Sequence, residues 1–396
     1  MSVPNLHYPA RLAADGGVCG SGRPSLEDMN ADAPDLYPHR LDAVRARARE
    51  IGIDHVVVYS GEDMAYLTGQ RLDSHERLTA LVVPADGDEP LLVLPSLELT
   101  ATVRAVAERI GATVHPWADG TDAVALVAVK VSGRVAVSTA MPALHLVPLQ
   151  QGVDGEVVLA SDVIDHVRAV KTAREVDELA EAARRIDAVH ARMGEFLQVG
   201  RTEAQVGELI TAAIEDEGLT HAEFVIVGSG PHGADPHHGV SDRVVQDGDI
   251  VVVDIGGPLP SGYHSDCTRT YAMGEPSAEV AEQYAVLQEA QRLAREAVRL
   301  GVAIGEIDAA AREHLAAAGL GERFIHRTGH GIGLGLHEPP FVAPGADTVL
   351  TEGMTFSVEP GIYRDGHWGA RLEDIVAVTA DGRRDLNNGE RGLRVL

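Results

Sequence analysis

The sequence predicts two folded parts, an α/β domain over about residues 36–160 and an α+β domain over residues 165–396. In the first part, strand-like runs alternate with helical stretches, which is typical of an α/β domain. In the second part, helices are grouped in pairs and strands in antiparallel runs, which favours an α+β fold. Residues 1–35 are rich in Gly, Ser, Pro, Asn and Asp, and they predict a flexible tail or a wrapping arm.

The first part opens with an amphipathic helix, LDAVRARAREIG, that ends at Gly52. A second helix, ELTATVRAVAERIG, stops at Gly111. Strands are predicted at the apolar runs DHVVVYS, LTALVVP, EPLLVLP and GRVAVS. No reactive side chains gather here. We therefore predict a structural role for this domain: it either contacts another subunit or covers a site that lies elsewhere.

The second part begins with a capping-box pattern, in which Thr172 is followed three residues later by Glu175. Helices are predicted over residues 172–198, 202–217, 279–299 and 305–318. Between the two pairs stand a loop rich in Gly, His and Pro and two strands, DIVVVDIGG and YHSDCTRTYAMG, joined by a PLPSG turn. The remainder is predicted to be mostly strand and loop.

The composition argues against several classes of function. The chain has 33 basic and 60 acidic residues and a net charge of −27, without a dense basic run, which argues against a nucleic-acid partner. Two cysteines, Cys19 and Cys267, are too few for a disulfide framework. Neither a secretory signal nor an apolar run of about 18 residues is present, so we predict a cytoplasmic protein without a membrane partner.

Four carboxylates stand at or beside apolar strands: Asp254, Asp266, Glu359 and Glu373. We expect these strands to form one sheet, which would bury the four side chains together. Burying a carboxylate without a partner costs several kcal/mol, and four such groups repel one another. A multivalent cation between them is the simplest physical remedy, so the sequence predicts a metal centre.

One imidazole, that of His330 in GHGIG, completes a donor set dominated by carboxylates. Such a set suits Mn²⁺, and Co²⁺, Fe²⁺ or Zn²⁺ would also enter. Two ions about 3.5 Å apart need bridging carboxylates, which several acidic ligands supply. Taken singly, each residue has a simpler interpretation, such as a turn residue, a loop histidine, or an ion pair of Glu373 with Arg371. Their common position beside apolar strands favours the metal centre.

Two motifs near His330 exclude other chemistries. GHGIGLG lacks the Lys-Ser/Thr of a phosphate-binding loop, and no helix signal follows it. HEPP is not HExxH, so a zincin site is not predicted.

Six motifs, in one order, are similar to those of the pita-bread metallopeptidases: PHHGVSD, VVVDIGG, SDCTRT, HRTGHGIG with HEPP, SVEPGIY and ARLED. This group includes methionine aminopeptidase, aminopeptidase P and prolidase. The chain most resembles the Xaa-Pro subgroup, and within it the compact bacterial Xaa-Pro dipeptidases. The resemblance covers about residues 165–396, and the preceding domain fits in size and position. It implies a pita-bread (creatinase/aminopeptidase) fold after a creatinase-like N-terminal domain.

The resemblance also implies a dinuclear site with two divalent ions per chain. The implied ligands are Asp254 on one ion, Asp266 and Glu373 as bridges, and His330 and Glu359 on the second ion. Asp254 and Asp266 are twelve positions apart, one more than in our picture of the family. We expect the PLPSG turn to absorb the extra residue.

Further roles follow from the same resemblance. His237 would lie near the substrate carbonyl and leaving group, with His238 as the alternative. His337 would stabilise the tetrahedral intermediate, and Arg371 and Tyr263 would orient the bridging carboxylates. Independently, strand alternation places Thr268 on the face of Asp266, where it would hydrogen-bond a ligand carboxylate. The same alternation turns Cys267 to the opposite face, where we expect it to pack.

The implied activity is hydrolysis of Xaa-Pro dipeptides by a metal-bound hydroxide, with Glu359 accepting the water proton. The implied partners are short proline-containing peptides and a second copy in a homodimer. One alternative is an aminopeptidase P acting on longer Xaa-Pro peptides. Others are a metal-free binding or creatinase-like protein on the same fold, and a structural α+β protein whose carboxylates meet by chance.

Overall fold

The N-terminal part of the chain is built on one mixed six-stranded sheet. The computed structural model describes residues 36–396, so the predicted tail and Cys19 lie outside the described residues. The strands are β1 (His55–Tyr59), β2 (Ala80–Pro84), β3 (Leu91–Pro95), β4 (Thr113–Trp117), β5 (Ser132–Val137) and β6 (Asp154–Leu159), in the order β4-β3-β2-β1-β5-β6. The helices are α1 (Leu36–Glu50), α2 (Glu62–Thr68), α3 (Ala101–Arg109), α4 (Ala123–Ala128), α5 (Ala143–Gly152) and α6 (Ile164–Ala169).

The central strand β1 is covered on both faces, which explains its unbroken apolar run. Val56 and Val58 pack into one core cluster with Val44 of α1. Val57 points the other way, into a second cluster that contains Val127 of α4. All four strands predicted for this part are present.

The C-terminal part combines two helix pairs with two larger sheets and one two-stranded sheet. Its helices are α7 (Ala173–Ala191), α8 (Met193–Phe196), α9 (Glu203–Asp216), α10 (Ala278–Ala297) and α11 (Gly305–Ala317). Its strands are β7 (Phe224–Ser229), β8 (Ile250–Pro258), β9 (His264–Ala272), β10 (Gly329–Gly331), β11 (Glu338–Val342), β12 (Thr355–Val358), β13 (Gly361–Arg364), β14 (Trp368–Arg371), β15 (Asp374–Thr379), β16 (Gly382–Asp385) and β17 (Arg394–Val395). The predicted capping box at the start of α7 is present in both directions between Thr172 and Glu175.

The prediction that the four carboxylates share one sheet is wrong. β7, β8, β9 and β17 form a four-stranded sheet, while β10, β11, β12, β15 and β16 form a five-stranded one, and β13 pairs with β14. Asp254 and Asp266 therefore belong to the first sheet, and Glu359 and Glu373 flank strands of the second. The carboxylates meet because β14 and β15 pack against β8 and β9.

Each of the two larger sheets has one face covered by helices. Val251, Val253 and Ile255 of β8 pack in a core cluster with α7 and α9. Because side chains alternate along a strand, Asp254 points to the opposite face, toward the second sheet. Val376 and Val378 of β15 pack in the same way on α10 and α11.

β8 and β9 form the predicted hairpin. Asp254 is opposite Thr268, and Gly256 is opposite Asp266, in an unbroken antiparallel register. The turn closes through hydrogen bonds between Leu259 and Tyr263 and between Gly262 and Leu259. The paired strands contain no bulge, so both aspartate side chains lie on one face.

Candidate metal centre

A cavity of about 1060 Å³ lies where the two sheets of the C-terminal part meet. It is lined by eight of the nine predicted site residues: Asp254, Asp266, His330, Glu359, Glu373, His237, His337 and Arg371. The hydrophobic side chains around it include Phe224, Ile325 and Leu336. The cavity is therefore lined by a cluster of charged side chains and by apolar side chains.

The charged side chains of the cavity form overlapping sets of possible metal ligands. One ligand atom from each of Asp254, Asp266 and Glu373 lies within 4.8 Å of the others, and the same holds for His330, Glu359 and Glu373. Glu373 belongs to both sets. The arrangement therefore suits two neighbouring cations that share a carboxylate.

Three buried oxygens in this cluster have no hydrogen-bond partner: Asp254 Oδ1, Asp266 Oδ1 and Glu373 Oε1. Buried carboxylate oxygens without a partner are costly, and native proteins rarely contain them. All three belong to the residues with the ligand spacing described above. The donor set therefore fits hard to intermediate divalent cations.

The electrostatics of the protein without cations agree with this assignment. Burial, and then the charges of Asp254 and Glu359, raise the pKa of Asp266 well above its usual value. Burial, and then the charge of Asp266, do the same to the pKa of Glu373. A bound cation supplies the opposite charge and favours the ionised forms.

Neighbouring side chains hold the carboxylates in place. Thr268 Oγ1 donates a hydrogen bond to Glu373 Oε2 at 2.8 Å, as the sequence predicts. Arg371 Nη2 donates to Asp254 Oδ2 at 2.7 Å, and Arg371 Nε donates to Thr268 Oγ1 at 3.0 Å. The bonds from Thr268 and Arg371 use Glu373 Oε2 and Asp254 Oδ2, so the other oxygen of each carboxylate stays without a partner.

The orientation of His330 frees one ring nitrogen for a cation. His330 Nδ1 lies 3.0 Å from the carbonyl oxygen of Gly331, which only accepts, so Nδ1 carries the proton. Nε2 then presents a lone pair toward Asp266 Oδ2 at 3.5 Å and Glu359 Oε1 at 3.3 Å. Ser357 Oγ accepts from the His330 amide and donates to Glu359 Oε1, which connects the two side chains.

The ring of His337 lies close to that of His330, tilted by 44°. The ring centroids of His337 and His330 are 3.9 Å apart. Burial, and then the proximity of His330, lower the pKa of His337 to about 4. His337 is therefore neutral at physiological pH and retains one ring N–H as a donor.

The loop that carries His337 is tied to the N-terminal domain. Glu338 is buried and accepts from Arg168 Nη2 at 2.5 Å and from Lys171 Nζ at 2.6 Å. Arg168 Nη1 donates in turn to Asp63 Oδ1 in α2 at 2.8 Å. Burial would raise the pKa of Glu338, but the two cations outweigh it and hold that pKa below its usual value.

His237 and His238 point in different directions. His237 lines the cavity, and its amide donates to Asp235 Oδ1 at 3.1 Å. His238 Nε2 lies 2.8 Å from Glu203 Oε2. Of the two alternatives, His237 is the residue that lines the same cavity as the carboxylate cluster.

Tyr263 does not orient the bridging carboxylates, contrary to the sequence prediction. Its hydroxyl donates to Glu175 Oε1 at 2.7 Å and accepts from Arg40 Nη2 at 3.0 Å. It joins α7 to helix α1 of the N-terminal domain. The reason is that Tyr263 lies in the turn between β8 and β9, beside α7 and α1, and outside the paired strands that carry Asp254 and Asp266.

A second tyrosine, Tyr363, contacts Arg371, the arginine that binds Asp254. Its hydroxyl accepts from Arg371 Nη1 at 2.9 Å and lies 2.9 Å from His326 Nε2. His326 Nδ1 donates to the Arg327 carbonyl oxygen, so Nε2 accepts the tyrosine proton. Tyr363 belongs to SVEPGIY and His326 to HRTGHGIG, so both motifs contained a signal that our sequence analysis did not use.

Cys267 lies on the opposite face of β9. It is fully buried in the cluster between the four-stranded sheet and α7 and α9. Burial raises the pKa of its thiol well above the usual value. This environment is that of a packed, protonated thiol.

Comparison with known families identifies the fold and the chemistry of this site. Residues 177–380 match the model of metallopeptidase family M24, and residues 40–170 match the creatinase/prolidase N-terminal domain. This chain belongs to metallopeptidase family M24. The predicted pita-bread fold behind a creatinase-like N-terminal domain is therefore confirmed, and M24 membership implies divalent metal ions. The bounds of the two domains stay a prediction.

Several relatives of this M24 metallopeptidase match over nearly the whole chain. It is 53% identical to the probable dipeptidase PepE of Mycobacterium tuberculosis over 91% of this chain and 97% of that protein. It is 34% identical to the Xaa-Pro dipeptidase of Lactobacillus helveticus, over 90% and 98% of the two chains. The crystal structure of dipeptidase PepE from Mycobacterium ulcerans superposes with a TM-score of 0.88 at 53% identity, over 92% and 98% of the two chains.

The described part of the chain contains no helix that is both long and apolar enough to cross a membrane.

Proposed function

We propose that this M24 metallopeptidase hydrolyses Xaa-Pro dipeptides with two divalent cations in its carboxylate cluster. The three partnerless oxygens of Asp254, Asp266 and Glu373 carry the proposal, because cations are the partners that such a cluster requires. The preference for Xaa-Pro dipeptides is supported by relatives that are Xaa-Pro dipeptidases and by a relative that is a probable dipeptidase.

Asp254 would bind one cation, Asp266 and Glu373 would bind both, and His330 and Glu359 would bind the second. When bound, such ions lower the pKa of a water molecule and polarise the substrate carbonyl. Mn²⁺ is the proposed metal, since the set holds four carboxylates and one imidazole.

Glu359 is the proposed proton acceptor for the attacking water. Ser357 Oγ occupies Glu359 Oε1, which leaves Oε2 available for the proton. The Glu359 side chain is 16% exposed and lines the cavity, so it can contact both substrate and water. The proton would then move to the departing nitrogen, which in an Xaa-Pro bond carries no hydrogen of its own.

The two cavity histidines have separate proposed roles. His337 would donate its N–H to the developing oxyanion, for which a neutral ring is suited. His237 would lie near the carbonyl and the leaving nitrogen. Neither role requires a change of charge at His337.

The proposed function is tested with protein that has been stripped of metal and reloaded with Mn²⁺. We expect cleavage of Ala-Pro, no cleavage of Ala-Pro-Ala, and loss of activity on chelation. Preference for the tripeptide would move the assignment to aminopeptidase P. Absence of metal-dependent cleavage of either peptide would overturn the proposal in favour of a metal-free or structural protein.

Replacing His337 by alanine is expected to lower kcat for Ala-Pro by about 100-fold, with a smaller change in KM, because the proposed contact forms in the transition state. Steady-state kinetics measure the two constants. His367→Ala, at an exposed histidine, is the control and should leave both unchanged. A rise in KM alone would show that His337 binds the ground state instead.

Two further properties remain predictions: a homodimer, which the family resemblance implies, and a cytoplasmic location, which the sequence predicts. The first is measured by sedimentation of the purified chain and the second by fractionation of the cell.

A further inference from the structure

Glu203 accepts hydrogen bonds from the loop that carries His237 and from both ends of that loop. It is the first residue of α9 and is fully buried. Ser229, at the end of β7, donates to Oε1 through its amide at 2.8 Å and through its hydroxyl at 2.6 Å. Ser241, on the other side of the loop, donates its hydroxyl to Oε2 at 2.5 Å. One carboxylate thus closes the base of the loop over residues 230–241.

Two histidines inside the loop contact the same carboxylate. His238 Nε2 lies 2.8 Å from Oε2, and His232 Nδ1 lies 3.1 Å from both oxygens. Their rings are 4.3 Å apart. His238 directly follows His237 in the chain, so the contact of His238 with Glu203 fixes the backbone beside His237.

Glu203, His232 and His238 also have the spacing of a metal site. The hydrogen bonds argue against that interpretation, because hydroxyl, amide and imidazole groups already occupy both carboxylate oxygens. Burial would raise the pKa of Glu203, but these donors outweigh it and lower the pKa to about 2. The charged carboxylate therefore acts as an acceptor that organises the loop.

At Pro236, the loop is bound to Arg371, which also binds the carboxylate cluster. Arg371 Nη1 donates to the carbonyl oxygen of Pro236 at 3.2 Å, and the same guanidinium binds Asp254. The backbone of Gly233 lies so close to Gly369 of β14 that a Cβ on Gly369 would be 1.9 Å from the Gly233 oxygen. His237 is therefore held between Pro236, bound to Arg371, and His238, bound to Glu203.

We infer that Glu203 is the positioning residue for His237: it sets the base of the 230–241 loop so that His237 faces the carboxylate cluster. The inference rests on the proposed function, since it assigns to Glu203 an effect that acts only through His237. A displacement of about 1 Å at a reacting group is enough to lower the rate by a large factor.

Glu203→Gln keeps the size of the side chain and removes its charge. Against Ala-Pro with the Mn²⁺-loaded enzyme, we expect kcat to fall about tenfold while KM and the bound metal stay nearly unchanged. Glu208→Gln, on the exposed face of the same helix, is the matched control and should behave as the unaltered enzyme. The decisive comparison is made in a His237→Ala background. There, Glu203→Gln should lower kcat by less than about twofold, because the histidine that Glu203 positions is absent.

Ser241→Ala removes one hydrogen-bond donor to Glu203. It is the second test variant, to be used if Glu203→Gln does not fold. We expect a loss of about threefold that again disappears with His237→Ala. Equal losses in both backgrounds, or an unchanged kcat in either variant, would overturn the inference.

Hydrogen exchange separates this inference from the proposed function. Exchange of the amides of residues 230–241 should be faster in Glu203→Gln than in Glu208→Gln, whether or not Ala-Pro is the substrate. Unaltered enzyme that fails to cleave Ala-Pro would overturn the proposed function only. Unchanged exchange in the loop would overturn the positioning role only.

Discussion

Replacing Asp266 by asparagine is expected to have opposite effects on the metal-loaded and the metal-free protein. Asp266 is the proposed bridge, so its loss should remove at least one of the two bound cations and lower activity by about 100-fold or more. In the metal-free protein, burial and the charges of Asp254 and Glu359 disfavour the ionised form of Asp266, and asparagine removes this cost. The melting temperature without metal should therefore rise by roughly 2–4 °C, which is about 1 kcal/mol for a domain of 150–250 residues.

The stabilisation of the metal-free variant should depend on pH in a defined direction. A carboxyl whose pKa is raised by folding contributes stability below its unfolded pKa of about 4, and this contribution is lost as the pH rises through the folded pKa. Burial and neighbouring charges raise the pKa of Asp266, so the unaltered protein loses this contribution on going from acid to neutral pH. The difference in melting temperature between Asp266→Asn and the unaltered protein should grow in the same interval.

Elemental analysis and thermal melts with and without a chelator measure these effects. Asp216→Asn, at an exposed aspartate at the end of α9, is the matched control. Two bound ions per chain in Asp266→Asn would show that Asp266 is not a bridge. A lower melting temperature without metal would contradict the repulsion argument.

The sequence was sufficient to predict the elements that carry the cluster, because each of its carboxylates lies within an apolar strand or directly beside one. The hairpin is a good example: alternation alone places Asp266 and Thr268 on one face of β9, and the pairing of β8 with β9 adds Asp254 to that face. The grouping of the carboxylates into one sheet failed for a definite reason. Alternation reports which face of a strand a side chain occupies, and it contains no information on which strands pair.

The contacts that support the cluster were less predictable. Tyr263 and Tyr363 both flank ligand motifs, and only the path of the β8–β9 turn places the first on Glu175 and Arg40. Glu203 is 51 positions before Asp254 in the chain and has no motif of its own. Its importance rests on hydrogen bonds to residues 26 to 38 positions away, which local pattern and composition do not encode.

Replacing Glu359 by glutamine is expected to have the largest effect on turnover. The amide has nearly the same size as the carboxylate and keeps an oxygen for Ser357 Oγ, so the fold should be retained. It does not accept a proton at neutral pH, and general acid–base catalysis is worth about 100- to 10,000-fold. The value of kcat for Ala-Pro should therefore fall by about that factor, while KM changes little.

The measurement must separate proton transfer from loss of metal, because Glu359 is also a proposed ligand of the second cation. Kinetics should therefore be accompanied by elemental analysis of the same sample, with Glu352→Gln, an exposed glutamate before β12, as the control. Two bound ions together with a large fall in kcat would assign the proton to Glu359. A variant with one ion would show that Glu359 acts as a ligand, and near-normal activity would remove Glu359 from the proton path.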